Sequence, residues 1–241
     1  MNYYSIHFTL NPKLKGSNVY IKNYNIKIPN EKLFWEEPKF IGNINHEKID
    51  FEPYLLDVEL FSSSKINDLI IDTGPVTKKL IVSNRLKSIL ERYRATGMQF
   101  FKINIFKKNI LFNDFWILNM HEVNMEFIDF EKTIFVVRKR KAGGTFLENI
   151  NVNSIEDMHV MLKDENNYVQ LFIERIVIRE NISSDFFCLQ YVEGGIKYIV
   201  SEKLKNEIEV EGCLGVEFMP VEMKMTEWLQ GGEREKIYGK A

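Results

Sequence analysis

The sequence predicts an α+β fold in which strands dominate, built as mixed sheets with a few amphipathic helices. Three observations point there. Hydrophobic residues make up 45% of the 241 positions and aromatics 13%, enough apolar material for a sizeable core. Short runs rich in β-branched and aromatic residues recur along the chain. Amphipathic helical spacing is confined to a few separate stretches.

Taken in order, the elements follow from local chemistry. Pro12, Pro29, Pro38, Pro53 and Pro75 lie in the first third, and only Pro220 lies beyond it. Proline fixes φ and removes a backbone donor, so this part is expected to break into short strands and turns, with apolar stretches at 3–10, 19–28 and 54–60. Ser83 is positioned to cap a helix in which Leu86, Ile89, Leu90 and Tyr93 form one apolar stripe. Gly97 then releases the chain into a strand at 98–106. A turn at Lys107, Lys108 and Asn109 leads to a partner strand, Ile110–Met120, apolar on both faces as a central strand would be. Further strands are expected at 134–137, 169–178 and 186–191, and a turn at Glu193, Gly194, Gly195 and Ile196. A helix is expected at 154–162, where Ile155, Met158 and Leu162 share a face. This reading gives a β-rich lobe at 1–75, an α+β domain at 76–226 and a polar tail at 227–241, frayed from Gly231.

One feature stands out against this background. The segment 81–103 aligns without a gap on 199–221, Ser83 falling on Ser201. Ile81, Val82, Ser83, Leu86, Lys87, Gly97 and Phe100 coincide with Ile199, Val200, Ser201, Leu204, Lys205, Gly215 and Phe218. Each copy reads as a strand entering a Ser-capped helix, a releasing glycine and a returning strand. Ser83, Leu86, Gly97 and Phe100, with Ser201, Leu204, Gly215 and Phe218, are the structural positions of this motif.

The pattern I-V-S-x-x-L-K followed by G-[VM]-x-F-x-x-[VI] resembles a family of bacterial immunity proteins from polymorphic-toxin systems. The second copy, ending Gly215-Val216-Glu217-Phe218-Met219-Pro220-Val221, is the better match. Phe115-Trp116-Ile117-Leu118-Asn119-Met120, followed by Ile128-Asp129-Phe130-Glu131-Lys132, is similar to the family's middle stretch. Val169-Gln170-Leu171-Phe172-Ile173-Glu174-Arg175 sits where a further family strand is expected. The resemblance covers about residues 76 to 226. The second copy departs from the common pattern at Val210-Glu211-Gly212-Cys213, at the end of its helix. The resemblance implies a non-enzymatic protein that binds and neutralises a cognate toxin domain in the cytoplasm, without a cofactor.

The chemistry visible in the sequence agrees with a binding role. Nucleophile-elbow, P-loop, dinucleotide and HExxH motifs are absent, so no catalytic or metal-ligating residue is assigned. His7, His46, His121 and His159 are widely spaced. Cys188 and Cys213 form no CxxC pair and read as buried free thiols. No signal peptide and no apolar run of membrane-spanning length is visible, so a soluble cytoplasmic protein is expected. The basic run Arg138, Lys139, Arg140 and Lys141 reads as a solvated hairpin loop guarding a sheet edge, the alternative being phosphate contact.

Two acidic places are candidates for meeting a toxin. One is Glu36 and Glu37 beside Trp35. The other is the outward face of the second-copy helix, Glu202, Asn206 and Glu209, with Leu204 and Ile208 turned inward. An ordinary solvated surface is the competing reading of both. For the whole protein, the competing readings are an enzyme with a diffuse hydrolytic or nucleotide-handling site, and a nucleic-acid or scaffold protein acting through the basic run. A formal charge of −2 excludes a dedicated nucleic-acid coat. It also means that acidity against a basic toxin would have to be local.

Overall fold

Apolar runs alternate with turns along the chain, the runs become strands, and the fold is α+β. The computed structural model describes residues 1–17, 20–29, 33–70, 73–163, 170–193 and 195–241. The expectations for Val19, Val169 and Gly194 fall outside these residues. In chain order the elements are β1 (Tyr3–Phe8), α1 (Pro12–Lys15), β2 (Ile21–Ile26), β3 (Leu56–Leu60), β4 (Leu69–Ile70), β5 (Leu80–Ser83) and α2 (Asn84–Tyr93). There follow β6 (Met98–Lys107), β7 (Ile110–Met120), β8 (Ile134–Lys141), β9 (Gly144–Ile150), α3 (Ile155–Lys163) and β10 (Gln170–Arg175). The chain continues with β11 (Phe186–Val192), β12 (Gly195–Ser201), α4 (Glu202–Val210), β13 (Val216–Pro220), α5 (Met225–Leu229) and α6 (Glu233–Tyr238). A seven-stranded sheet has the order β13-β1-β12-β11-β10-β8-β9, and a six-stranded sheet the order β2-β3-β6-β7-β5-β4. Both are mixed: β10–β11 and β3–β6 are parallel pairs among antiparallel ones.

The chain forms two compact units, one of Met1–Ile6, Val123–Glu202 and Phe218–Ile237, the other of His7–Glu122, Lys203–Glu217 and Tyr238–Ala241. In the second of these, the six-stranded sheet buries Leu56, Val58, Leu60, Ile81, Ile103, Ile105, Phe115 and Ile117 against Phe40, Ile41, Ile44, Ile49 and Val76 from the connecting segments. Helix α2 packs on β5 and β7. Its stripe of Leu86, Ile89 and Leu90 is fully buried, and burial of each such side chain contributes about 2 kcal/mol. Ser83 is the N-cap, its Oγ accepting from the Leu86 N–H at 3.2 Å. Between β6 and β7 the turn residues Lys108 and Asn109 both have positive φ, as a two-residue primed hairpin turn requires.

Strand β7 is covered on both faces only in its second half. Ile110 and Leu111 are 59% and 50% exposed, and burial begins at Phe115. The reason is pairing: β6 flanks β7 throughout, whereas β5 joins its other side only along Phe115 to Leu118.

In the other unit, the core joins Phe135, Val137, Leu171, Ile173, Phe187, Leu189 and Ile199 of the seven-stranded sheet to Met158 of α3 and to Ile128, Phe130, Val152 and Ile176. Tyr3 sets its ring edge-on to Phe187 at 5.4 Å. The α3 helix forms where it is expected, with the Ser154 Oγ accepting from the Asp157 N–H and Asp157 reaching back to the Asn153 N–H.

Two segments differ from what their composition suggests. The basic run is not a loop: Arg138, Lys139, Arg140 and Lys141 continue β8 and pair with Leu147, Phe146, Thr145 and Gly144 of β9. Alternating pairing with a β-rich partner keeps the run extended, and the turn moves out to Ala142 and Gly143. The tail is not frayed from Gly231, because α6 forms and buries Arg234, while Trp228 of α5 is buried as well.

Lys197 on β12 is a cost inside this unit. It is 5% exposed and lies on the same side of its strand as the core residue Ile199. Burial pushes its ammonium down to about 8, against the pull of the Glu193 charge. Between pH 8 and the ordinary value of 10.5 the unfolded chain holds a proton that the folded chain has lost, so this group makes stability rise with pH through that window. Lys197→Met is expected to raise the unfolding free energy at pH 7 by about 2–3 kcal/mol, a gain that shrinks as pH rises from about 8 to 10.5, in urea titrations at several pH values.

The two repeat glycines both occupy the left-handed region, at φ +79° for Gly97 and +83° for Gly215. A Cβ on Gly97 would meet the movable ends of Glu122 and Arg94, whereas one on Gly215 would lie 2.5 Å from the Cβ of buried Asn67. Gly97→Ala is therefore expected to cost about 1 kcal/mol and Gly215→Ala about 2–3 kcal/mol, read from the same denaturation midpoints.

Candidate functional site

The repeat is also a repeat of geometry, and at its centre is a serine bonded to an aspartate. Ser83 Oγ donates to Asp68 Oδ1 at 2.5 Å, and Ser83 N–H donates to the Asp68 carbonyl at 2.8 Å. Ser201 Oγ donates to Asp185 Oδ1 at 2.5 Å, and Ser201 N–H donates to the Asp185 carbonyl at 2.9 Å. The strands that follow the aspartates pair alike: Leu69 and Ile70 oppose Val82 and Ile81, as Phe186 and Phe187 oppose Val200 and Ile199. A fourth strand completes each copy. It is β7 in the first, where Phe115 faces Ser83 and the His121 N–H donates to the Gly97 carbonyl. It is β1 in the second, where Tyr3 faces Ser201 and the Thr9 N–H donates to the Gly215 carbonyl. Leu86 and Leu204 are buried alike; Phe218 is buried, whereas Phe100 is half-buried beneath the Lys87 ammonium at 5.2 Å. The helices end differently, α2 in extended Arg94 and α4 in left-handed Gly212. The aspartates lay outside the sequence alignment. The signal for them was an Asp opening an apolar run, Asp68-Leu69-Ile70 and Asp185-Phe186-Phe187.

Asp68 does more than its counterpart. Arg85 grips it with two nitrogens, Nε to Oδ1 at 3.2 Å and Nη2 to Oδ2 at 2.6 Å, and the Leu214 N–H donates to Oδ2 at 2.7 Å. Burial pushes the Asp68 carboxyl up, but the bonds from Arg85, Ser83 and Leu214 outweigh it and hold the group below the usual carboxylate range. Arg85 also donates to the carbonyls of Glu211 and Gly212 at the end of α4. Farther along, Glu207 of α4 accepts from Arg92 and Tyr93 of α2, and the Lys203 ammonium lies 4.9 Å over the Tyr93 ring. Arg85 and Lys203 are equivalent in the repeat and have taken different partners.

The residues read as toxin contacts are spread over two surfaces. Trp35 and Glu36 are exposed on a 3₁₀ turn, Phe34–Glu36, with Trp35 at 59% exposure. Glu37 is buried rather than displayed, and its Oε1 accepts from the Lys39 N–H at 3.2 Å. The Asn43 amide donates to the carbonyls of Phe34 and Glu37 at 2.6 and 2.8 Å, and the Phe34 ring meets Trp35 and Phe40 edge-on. The Trp35 turn is thus pinned from behind. Glu202, Asn206 and Glu209 are all exposed on α4. Lys205 pairs with Glu209 at 2.9 Å, and Glu202 accepts from Asn2 and Tyr4, so this face is less bare in charge than its composition suggests.

Among the described residues, no group of three or more His, Cys, Asp or Glu side chains is placed to hold a metal ion. Cys188 and Cys213 are not joined in a disulfide; Cys188 is buried, Cys213 only partly, and burial pushes the Cys213 thiol up to about 11. A cavity of about 480 Å³ is lined by Asn2, Tyr4, Lys132, Arg179 and Glu222 among others. Its cations are engaged, Lys132 with Asp129 and Arg179 with the Ile128 carbonyl. No helix among the described residues is long and apolar enough to cross a membrane.

The fold is α+β, and its strand–helix–strand motif occurs twice, the first copy pinned at Asp68. Residues 2–223 match the model of the immunity protein family Imm11, and the chain belongs to that family. No curated protein sequence matches it.

The depressed Asp68 carboxyl gives a testable sign. Its contribution to stability is present above the ordinary carboxylate pKa near 4 and is lost as pH falls through the lower folded value. Asp68→Asn is expected to lower the unfolding free energy by about 2–3 kcal/mol at pH 7, and the gap to the parent is expected to narrow below about pH 4 in urea titrations.

Proposed function

We propose that this protein binds one cognate toxin domain in the cytoplasm and neutralises it by forming a tight complex, without catalysing a reaction. Membership of the immunity family across residues 2–223 carries this reading. Trp35 and Glu36 supply an aromatic anchor with an adjacent charge. The hydrogen bonds and ring contacts behind them support the role, because a turn already held in place loses little freedom on binding. Glu37 acts from inside, shaping the turn through the Lys39 N–H rather than touching the partner. Glu202, Asn206 and Glu209 form a second contact, in which charge steers association more than it sets affinity.

Co-expression with the toxin encoded beside this gene tests the reading. Cells carrying both are expected to survive, and equal killing with and without this protein would overturn it. Trp35→Ala is expected to weaken the complex by about tenfold to a hundredfold in calorimetry while leaving the melting temperature in place. A dissociation constant within twofold of the parent would remove the turn from the interface.

A further inference from the structure

Strand β9 closes one end of the seven-stranded sheet, and among the described residues no strand pairs with its outer side. Sheet edges are ordinarily guarded by being short, by a proline, by a bulge or by a lysine on the edge strand itself. This edge has none of these. It runs seven residues, Gly144–Ile150, in unbroken register with β8. It contains no proline and no cation, and its one charge, Glu148, is paired with Lys139 at 2.9 Å. Every residue from 144 to 149 is exposed, including Phe146 and Leu147 on opposite faces. The cations sit one strand behind, on β8, where they leave the edge backbone open. Arg138 lies over the Phe172 ring and Lys141 over Phe146, while Arg140 has no ion-pair partner among the described residues.

We propose that the outer edge of β9 is a docking site for an extended acidic segment of the toxin, which adds to the sheet as an eighth strand. The proposal deepens the immunity reading and rests on it. Backbone hydrogen bonds to the outward N–H and C=O groups of β9 would supply pairing, and Phe146 and Leu147 would flank side chains of the added strand. Four cations against one carboxylate, in a chain whose net charge is −2, select an acidic occupant. The same cations oppose edge-to-edge pairing of two copies of this chain, which would set eight of them close together.

Hydrogen exchange on the full chain, free and bound to its catalytically inactivated toxin, tests this. In an edge strand alternate amides point outward and exchange fast. Strand addition is expected to slow alternate amides of β9 by tenfold or more on toxin binding, and Arg140→Glu with Lys141→Glu is expected to weaken the complex at least tenfold. Lys107→Glu with Lys108→Glu, at another hairpin, is the charge-matched control and is expected to change affinity by less than threefold. A wild-type complex whose β9 amides stay unprotected, with affinity unmoved by the β8 reversal, overturns this proposal and leaves the immunity reading standing. Absence of any wild-type complex overturns both. Protection of β9 before toxin is added, with a mass that doubles on concentration, would assign the edge to a second copy. Protection by a DNA or RNA duplex alone would assign it to nucleic acid, and either result overturns the proposal.

Discussion

The Asp68 carboxylate is the constraint around which one unit is arranged. It accepts from the capping serine of α2, from both arms of Arg85 and from the backbone of Leu214. A carboxylate with 9% of its side chain exposed would be costly to bury alone, and four donors repay its lost hydration. Because one donor is Leu214 and Arg85 also reaches the carbonyls of Glu211 and Gly212 just after α4, the start of one repeat helix and the exit from the other are fixed by the same few atoms. Removing the carboxylate would leave a serine, a guanidinium and an amide without their acceptor, a larger loss than any single surface ion pair. The Arg92–Glu207 contact, with Arg92 half exposed, adds alignment between the two helices more than stability.

Duplication explains why so much of the chain obeys one pattern while its two copies diverge on the surface. Core, serine and turn positions answer to packing, a serine–aspartate hydrogen bond and positive φ, and these demands are the same in both copies. Outside them the copies drift. Arg85 grips Asp68, whereas its counterpart Lys203 covers Tyr93; Ile89 is buried, whereas its counterpart Glu207 joins an ion network. A scaffold held by buried cores and turns leaves its exposed positions free to vary, which suits the partner-matching role proposed above.

The sequence made the strand–helix–strand units legible because their signals are local. Ser83 and Leu86 lie three residues apart and Gly97 needs only its own φ, so period and cap chemistry suffice to place α2 and β6. The fourth strand of each copy was not legible. β7 follows its copy directly, but β1 reaches the second copy from the far end of the chain, and Tyr3-Tyr4-Ser5-Ile6 has little in common with Phe115-Trp116-Ile117-Leu118 beyond being apolar. Asp68 escaped for the same reason: its role depends on Ser83, Arg85 and Leu214, which share no local period. The basic run was misplaced because four cations in a row resemble a loop until a partner strand is known. Glu37 looked like surface acidity and is buried, since a dipeptide of like charges does not reveal which member turns inward.

Charge, finally, acts locally in this molecule. A net charge of −2 averages over a β8 segment with four consecutive cations and over a remainder that is correspondingly acidic. At physiological salt the screening length is about 8 Å, so a partner near β8 senses those cations and little of the distant carboxylates. A partner near Trp35 meets Glu36 instead. Two surfaces of opposite sign on rigid elements do not call for a uniformly basic or uniformly acidic partner. In the binding role proposed above each patch selects for itself: the β8 cations favour an acidic stretch, Glu36 favours a cation, and a partner with like charge at either place is refused there.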